Sequence, residues 1–165
     1  MSSRCKGGKK FKSSRVQEVQ EVQEFNSSKS SKVQGMKAGS FEELFAFQKA
    51  RELSRRIYEI TAREPFRYDS RFVQQIHAAV GSIMDNIAEG FERGGNKELV
   101  TFLYYAKGSC GETRSQIIRA YDVNFIDKDT YEKLYQDCKF LSGVIMNLIK
   151  EVKDSEFKGA KYLNS

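Results

Sequence analysis

Between Ser40 and Val152 apolar residues recur at every third or fourth position, in four long runs parted by three short breaks. That is the period of an α-helix, whose 3.6 residues per turn bring positions i, i+3, i+4 and i+7 onto one face. No competing stretch alternates apolar and polar residues as a half-buried strand would. The chain has one proline, Pro65, and it stands in the first break rather than inside a run, where it would break the helix. The connections are short, so successive helices must be antiparallel neighbours. The pattern predicts an all-α fold, an antiparallel up-down-up-down four-helix bundle over residues 40–153.

Start and stop signals sharpen the four helices. Ser40-Phe41-Glu42-Glu43 reads as an S-x-x-E capping box opening the first. Ala46, Ala50, Leu53, Ile57 and Ile60 make its core stripe, and Pro65 stops it. Asp69 is the expected N-cap of the second helix, whose inner face carries Phe72, Ile76, Ala79, Val80, Ile83, Ile87 and Phe91. Gly90 and then Gly94-Gly95 are expected to end it. Asn96 is the expected cap of the third, with Leu99, Leu103, Ala106, Cys110, Thr113, Ile117 and Tyr121 on one face. The fourth follows Asp127 and buries Tyr131, Leu134, Cys138, Leu141, Ile145, Leu148 and Val152. Residues 154–165 read as a frayed end.

Residues 1–39 are of another kind. Ser, Lys, Gly, Gln and Val dominate, and Val16 to Glu24 repeats with period three, which suits neither helix nor strand. This reads as a low-complexity, disordered basic tail. Met36 is an equally compatible start, which would leave the repeat outside the native protein. The formal charge of +6 sits wholly here: residues 1–40 hold nine of the 28 Lys and Arg and three of the 22 Asp and Glu. The remaining 19 of each sign cancel, so net charge alone gives the bundle no attraction for phosphate.

Three cysteines (Cys5, Cys110 and Cys138) show no CxxC spacing. An odd count without a leader points to free thiols in a reducing, cytoplasmic setting. No run of about 18 apolar residues exists to span a membrane.

Within the second helix, Ser82-Ile83-Met84-Asp85-Asn86-Ile87-Ala88-Glu89-Gly90-Phe91 resembles the signature of a four-helix-bundle family. That family is named for proteins encoded in intervening sequences of large-subunit (23S) ribosomal RNA genes. Phe41-Glu42-Glu43-Leu44 to Gln48-Lys49-Ala50, Asn96-Lys97-Glu98-Leu99 with Phe102-Leu103, and Lys107-Gly108-Ser109-Cys110-Gly111-Glu112 resemble three further segments of it. The resemblance covers about residues 41–152 and marks Asn86, Ile87, Ala88, Glu89, Gly90 and Glu112. It implies a ring-like homopentamer. It also implies kinship with accessory variability proteins of diversity-generating retroelements, which bind nucleic acid and a reverse transcriptase through basic surfaces. For most members it implies no known activity. This chain departs from the pattern at His77-Ala78, where many members carry Arg-Arg, and at Met84, where Pro is usual.

The residues offer little to catalysis. A di-iron bundle needs paired Glu-x-x-His motifs, and one histidine cannot supply two, so neither metal nor other cofactor is expected. Arg71 and His77 have the spacing of a helical-bundle ribonuclease pair, with His77 as acid/base and Arg71 as charge stabiliser. On a regular helix six residues separate them by about 120°, and a surface Arg beside a half-exposed His explains both. Cys110 and Cys138 fall on core stripes and read as inert thiols. Gly94-Gly95 follows a helix and lacks the Lys-Ser/Thr ending of a phosphate loop.

Two surface features remain. Leu44, Phe47 and Tyr58 on the first helix, and Tyr104 and Ile118 on the third, stand apart from the core stripes. A monomer needs one apolar face per helix, so these five read as an oligomer interface. Arg51, Arg55, Lys107 and Arg114 flank that second stripe and read as a basic surface for RNA or a partner, against ordinary helix-surface ion pairing. Asn86, Glu89 and Glu112 suggest a polar network between the second and third helices, with a catalytic carboxylate pair as the sharper alternative.

The sequence therefore points to a non-enzymatic, self-assembling helical module. Its expected partners are its own copies, structured RNA or a reverse transcriptase, and no membrane. A purely structural interaction module and a ribonuclease using Arg71 and His77 are the alternatives.

Overall fold

The structure is a computed structural model, and it describes residues 38–155. The expected tail at 1–39, the start at Met36 and the frayed end therefore fall mostly outside the described residues, as does Cys5. Four helices follow in order: α1 (Phe45–Thr61), α2 (Ser70–Glu92), α3 (Asn96–Asp122) and α4 (Lys128–Asp154). Short 3-10 turns, Phe41–Glu43 and Phe66–Tyr68, precede α1 and α2. No strand occurs among the described residues, and the expected all-α up-down-up-down bundle is what forms.

The neighbouring pairs are α1–α2, α2–α3, α3–α4 and α1–α4. Helices α1 and α3 therefore lie diagonally across the core, as do α2 and α4. The apolar stripes meet between them in one cluster, with Ala50, Val80, Ile83, Ile87, Leu103, Ile117, Ile145 and Ile149 fully buried. Phe66, which helical periodicity does not reach, closes one end. Its ring packs 5.1 Å from Phe125 and 5.8 Å from Phe72. At the α1–α4 edge Arg56 pairs with Asp137, and Phe45 meets Phe140 edge to face at 6.3 Å.

The helix ends follow local chemistry. Asp69 and Asp127 cap α2 and α4, accepting from the N–H groups of Phe72 at 2.9 Å and Thr130 at 2.8 Å. α2 runs through Gly90 and stops at Gly94, whose φ of 73° is left-handed. α3 ends in a Schellman motif. Asn124 takes φ 59°, its N–H donates to the Tyr121 carbonyl, and Phe125 N–H donates to Ala120.

Two expected caps differ. Ser40 makes no side-chain cap bond, and the Glu43 carboxylate accepts from Gly39 N–H at 2.8 Å. Leu44 breaks the helix with ψ 125°, so α1 starts only at Phe45. Asn96 is the first residue of α3 rather than its cap. Its Nδ2 donates to the carbonyls of Val152 at 3.3 Å and Ser155 at 3.2 Å, tying the start of α3 to the end of α4.

Candidate nucleic-acid interface

α3 has two flanks, built on different principles. Toward α2 it presents small and hydroxylated residues. Ser82 and Ser109 hydroxyls meet at 3.0 Å. Asn86 Nδ2 donates to the Ser82 carbonyl at 2.7 Å and its hydroxyl at 3.0 Å. Thr113 donates to the Ser109 carbonyl at 2.9 Å. One turn beyond Asn86, the Gly90 backbone lies so close to α3 that a Cβ there would stand 2.7 Å from the Cβ of Phe102. The hydroxyls spend their polar capacity within the seam, which suits a buried contact.

Toward α4 the same helix presents cations and aromatic rings. Arg114 lies over the ring of Tyr135, 5.8 Å from its centroid. Tyr135 is 5.6 Å from Tyr131, and Tyr131 stacks on Tyr121 at 4.6 Å with 19° between planes. At the far end Lys153 Nζ donates to the Tyr104 phenol at 3.1 Å and sits 5.1 Å from that ring's centroid. These pairs trace the mouth of the groove between α3 and α4. Lys107 shares the α4-facing edge of α3 with Arg114, since seven residues bring a helix back to within about 20°. Lys139 and Lys150, eleven residues apart, share a side of α4 with each other and stand exposed about 40–60° outward of Tyr135 and Lys153, α4 residues that touch α3. By the same period the carboxylates on this edge are Asp122, Glu132 and Asp154, and Glu132 pairs with Lys128 at 3.8 Å. Lys107, Arg114, Lys139 and Lys150 have no ion pair among the described residues.

Two other polar sites bear on chemistry. Thr61 Oγ1 donates to the Ile57 carbonyl at 2.8 Å and lies 2.7 Å from His77 Nε2. With the hydroxyl proton on that carbonyl, Nε2 is the protonated nitrogen and donates to Oγ1. Tyr58 stacks on the imidazole at 3.8 Å, and burial lowers the His77 pKa, favouring the neutral ring. Cys110 Sγ donates to the Cys138 carbonyl at 3.1 Å in the core. A hydrogen bond with Cys110, and then burial, push the Cys138 thiol far up. Both are free, buried thiols. Among the described residues no group of three or more His, Cys, Asp or Glu could hold a metal ion.

The family model for 23S rRNA-intervening sequence proteins matches residues 42–147. The chain belongs to this family. A solved structure of a protein of unknown function from the S23 ribosomal protein family of Bacteroides thetaiotaomicron has the same fold. It is 21% identical and superposes with a TM-score of 0.58 over 64% of this chain and 98% of that one. No curated protein matches the sequence.

In this member of the 23S rRNA-intervening sequence family, the signature is mostly architecture. Ile87 and Gly90 are buried, Ala88 is half-buried, and Asn86 bonds within the α2–α3 seam. Glu89 is exposed and pairs with Arg93 one turn on, and Glu112 is exposed. The α2–α3 network therefore consists of Asn86, Ser82 and Ser109, not of Asn86 with Glu89 and Glu112. Arg71 is exposed on the second residue of α2, while Nε2 of His77 is engaged by Thr61.

The two surface expectations are also revised. Leu44 and Phe47 are 2% and 9% exposed and belong to the protomer's own core, not to a free stripe. The break at Leu44 resets the helical phase, and Phe41 covers Phe47 edge to face at 4.9 Å. Tyr58, Tyr104 and Ile118 do stand exposed, but Tyr58 lies on α1, diagonal to the other two. The same diagonal separates Arg51 and Arg55, both exposed on α1, from Lys107 and Arg114 on α3. The four cannot form one surface. Lys107 and Arg114 instead border the α3–α4 seam, where Lys153 of α4 meets Tyr104, and Lys139 and Lys150 stand exposed further out on that side of α4. Their helical spacing is readable in the sequence once α3 and α4 are set side by side.

Proposed function

We propose that this protein is a non-enzymatic RNA-binding bundle. One observation carries the reading: along the α3–α4 side of the bundle Lys107, Arg114, Lys139 and Lys150 stand without an ion pair among the described residues, beside the rings of Tyr104, Tyr121 and Tyr135. Each cation that neutralises a phosphate releases a counterion, so such a surface binds RNA with a strong salt dependence. The arrangement at His77 supports the non-enzymatic part. Its Nε2 and one ring face are occupied, and Arg71 makes no bond to it. The test is an RNA titration of the full chain at two salt concentrations, beside a variant with those four groove cations changed to Ala. The slope of log affinity against log salt is expected to fall by about 0.7 to 0.9 for each phosphate that the variant no longer neutralises. Identical slopes would overturn the reading. The tail contributes equally to both proteins and cancels in the difference.

A second observation supports self-association, for which the family resemblance suggests a homopentamer. The outward face of α3 carries Gly108 and Gly111, where a Cβ would meet nothing within 4 Å, and the exposed Ile118, an edge shared with Tyr104, so a copy seated here would cover that ring. Exposed helix glycine costs roughly 1 kcal/mol relative to Ala, which a second copy's close approach would explain. Light scattering on a size-exclusion column tests this, and a monomer at micromolar concentration would remove it. A reverse transcriptase as partner is a further reading that rests on the resemblance alone.

A further inference from the structure

The α3–α4 groove has a feature that phosphate binding does not require: an aromatic ring exposed at each end of the row of cations. Tyr104 is 43% exposed and Tyr121 is 37% exposed. Each is held on one side only. Lys153 Nζ lies over Tyr104 and bonds its phenol oxygen at 3.1 Å, and Tyr131 stacks on Tyr121 at 4.6 Å. The anchors fix the rings and leave part of each to solvent. Between them lie the cations, over seventeen residues of α3, about 25 Å along the helix axis. That is the length of a few nucleotides of extended strand.

These features discriminate between forms of RNA. In a duplex the bases are already stacked on one another, and the major groove is too deep and narrow for side chains to read. A duplex would meet the cations through its phosphates and leave both tyrosines without a role. A single strand offers base faces as well as phosphates, and a fixed aromatic ring is a stacking platform for any base. Resting on the RNA-binding reading above, we infer that the α3–α4 groove takes single-stranded RNA, with one base stacked on Tyr104, another on Tyr121, and the intervening phosphates on Lys107, Arg114, Lys139 and Lys150. Recognition of this kind tolerates sequence, because the platforms read base faces rather than base edges.

The test uses the full chain with two probes: a single-stranded RNA of about ten nucleotides, within the usual site-size range, and a hairpin duplex with the same number of phosphates. The single strand is expected to bind tighter. Tyr104→Ala and Tyr121→Ala should each weaken it roughly tenfold, with the salt slope unchanged. Tyr104→Phe and Tyr121→Phe keep the ring and should retain the affinity, which separates stacking from loss of the Tyr121–Tyr131 packing. Lys139→Ala with Lys150→Ala should instead lower the salt slope. Equal or tighter duplex binding, or Ala variants as tight as wild type, overturns the single-strand inference while the RNA reading stands. A salt slope unmoved by the lysine changes overturns the RNA reading itself.

Discussion

The two flanks of α3 teach different lessons about what a family signature records. On the α2 side, Ser82, Asn86, Gly90 and Ser109 satisfy one another and bring the helix backbones close. On the α4 side, Lys107, Arg114, Lys139 and Lys150 make no ion pair among the described residues. The recognisable Asn-Ile-Ala-Glu-Gly string belongs to the first flank. Its Asn86 and Gly90 serve close packing of α2 on α3. The proposed binding chemistry lies on the second flank, in cations that a solvent-facing helix edge carries at no structural cost.

That contrast can be broken at several points. The largest effect is expected at Gly90. A side chain there collides with Phe102 and Leu99, and overpacking of this kind costs typically about 1–3 kcal/mol. Gly90→Val should approach the upper value in a denaturant titration, while any RNA salt slope of the folded protein stays as in wild type. A smaller loss, about 1 kcal/mol, is expected for Ser82→Ala, which removes the hydrogen bond to Ser109 and one of the two Asn86 bonds. No loss at either position would show that the α2 flank is not the tight one.

Gly111→Ala probes the outward face between the flanks. With nothing within 4 Å of the new Cβ, the lone protomer should gain up to about 1 kcal/mol in helix propensity. A copy packed on that face would be pushed away. A raised melting temperature with unchanged mass by light scattering would argue against assembly through this face, and a lowered mass would argue for it.

The smallest effect lies on the α1–α2 seam. Burial lowers the folded-state pKa of His77, so the unfolded chain takes up this proton more readily. The stabilising contribution is then fully present above the unfolded value of about 6.5. It is lost as pH falls from there toward the lowered folded value, and levels off below it. The wild type should lose slightly more stability than His77→Gln between neutral and mildly acid pH, by thermal melts. Parallel pH profiles would show the ring to be as solvated as in the unfolded chain.

Helix period and cap chemistry make most of the fold legible. Asp69 and Asp127 cap as their side chains predict, and most of each expected core stripe is buried; the exception is Tyr121, expected inside but 37% exposed where it stacks on Tyr131 near the end of α3. What is not legible depends on partners distant in sequence. Ser40-x-x-Glu43 matches a capping box, but burial of Leu44 breaks the chain there and changes the phase of everything before it. Asn96 has the look of a cap, yet the end of α4 takes its amide. Grouping Arg51, Arg55, Lys107 and Arg114 by character assembles a basic surface that the bundle's own topology forbids, because α1 stands across from α3. Lys139 and Lys150 do not declare themselves, since a lysine on a helix edge has no local signature and only the adjacency of α3 gives it company.

An even number of antiparallel helices returns the backbone to the end of the bundle from which it set out. Ala38 and Ser155 therefore lie at the same end, on the sides of the neighbouring helices α1 and α4. In engineering terms the fold is a cycle of four helices, and its linear order is only one place to cut the cycle. A short linker joining these ends, with the chain reopened at the exposed turn around Asn124, would permute the order and leave every helix neighbour in place. The α3–α4 groove would then be built from the last and first helices of the new chain.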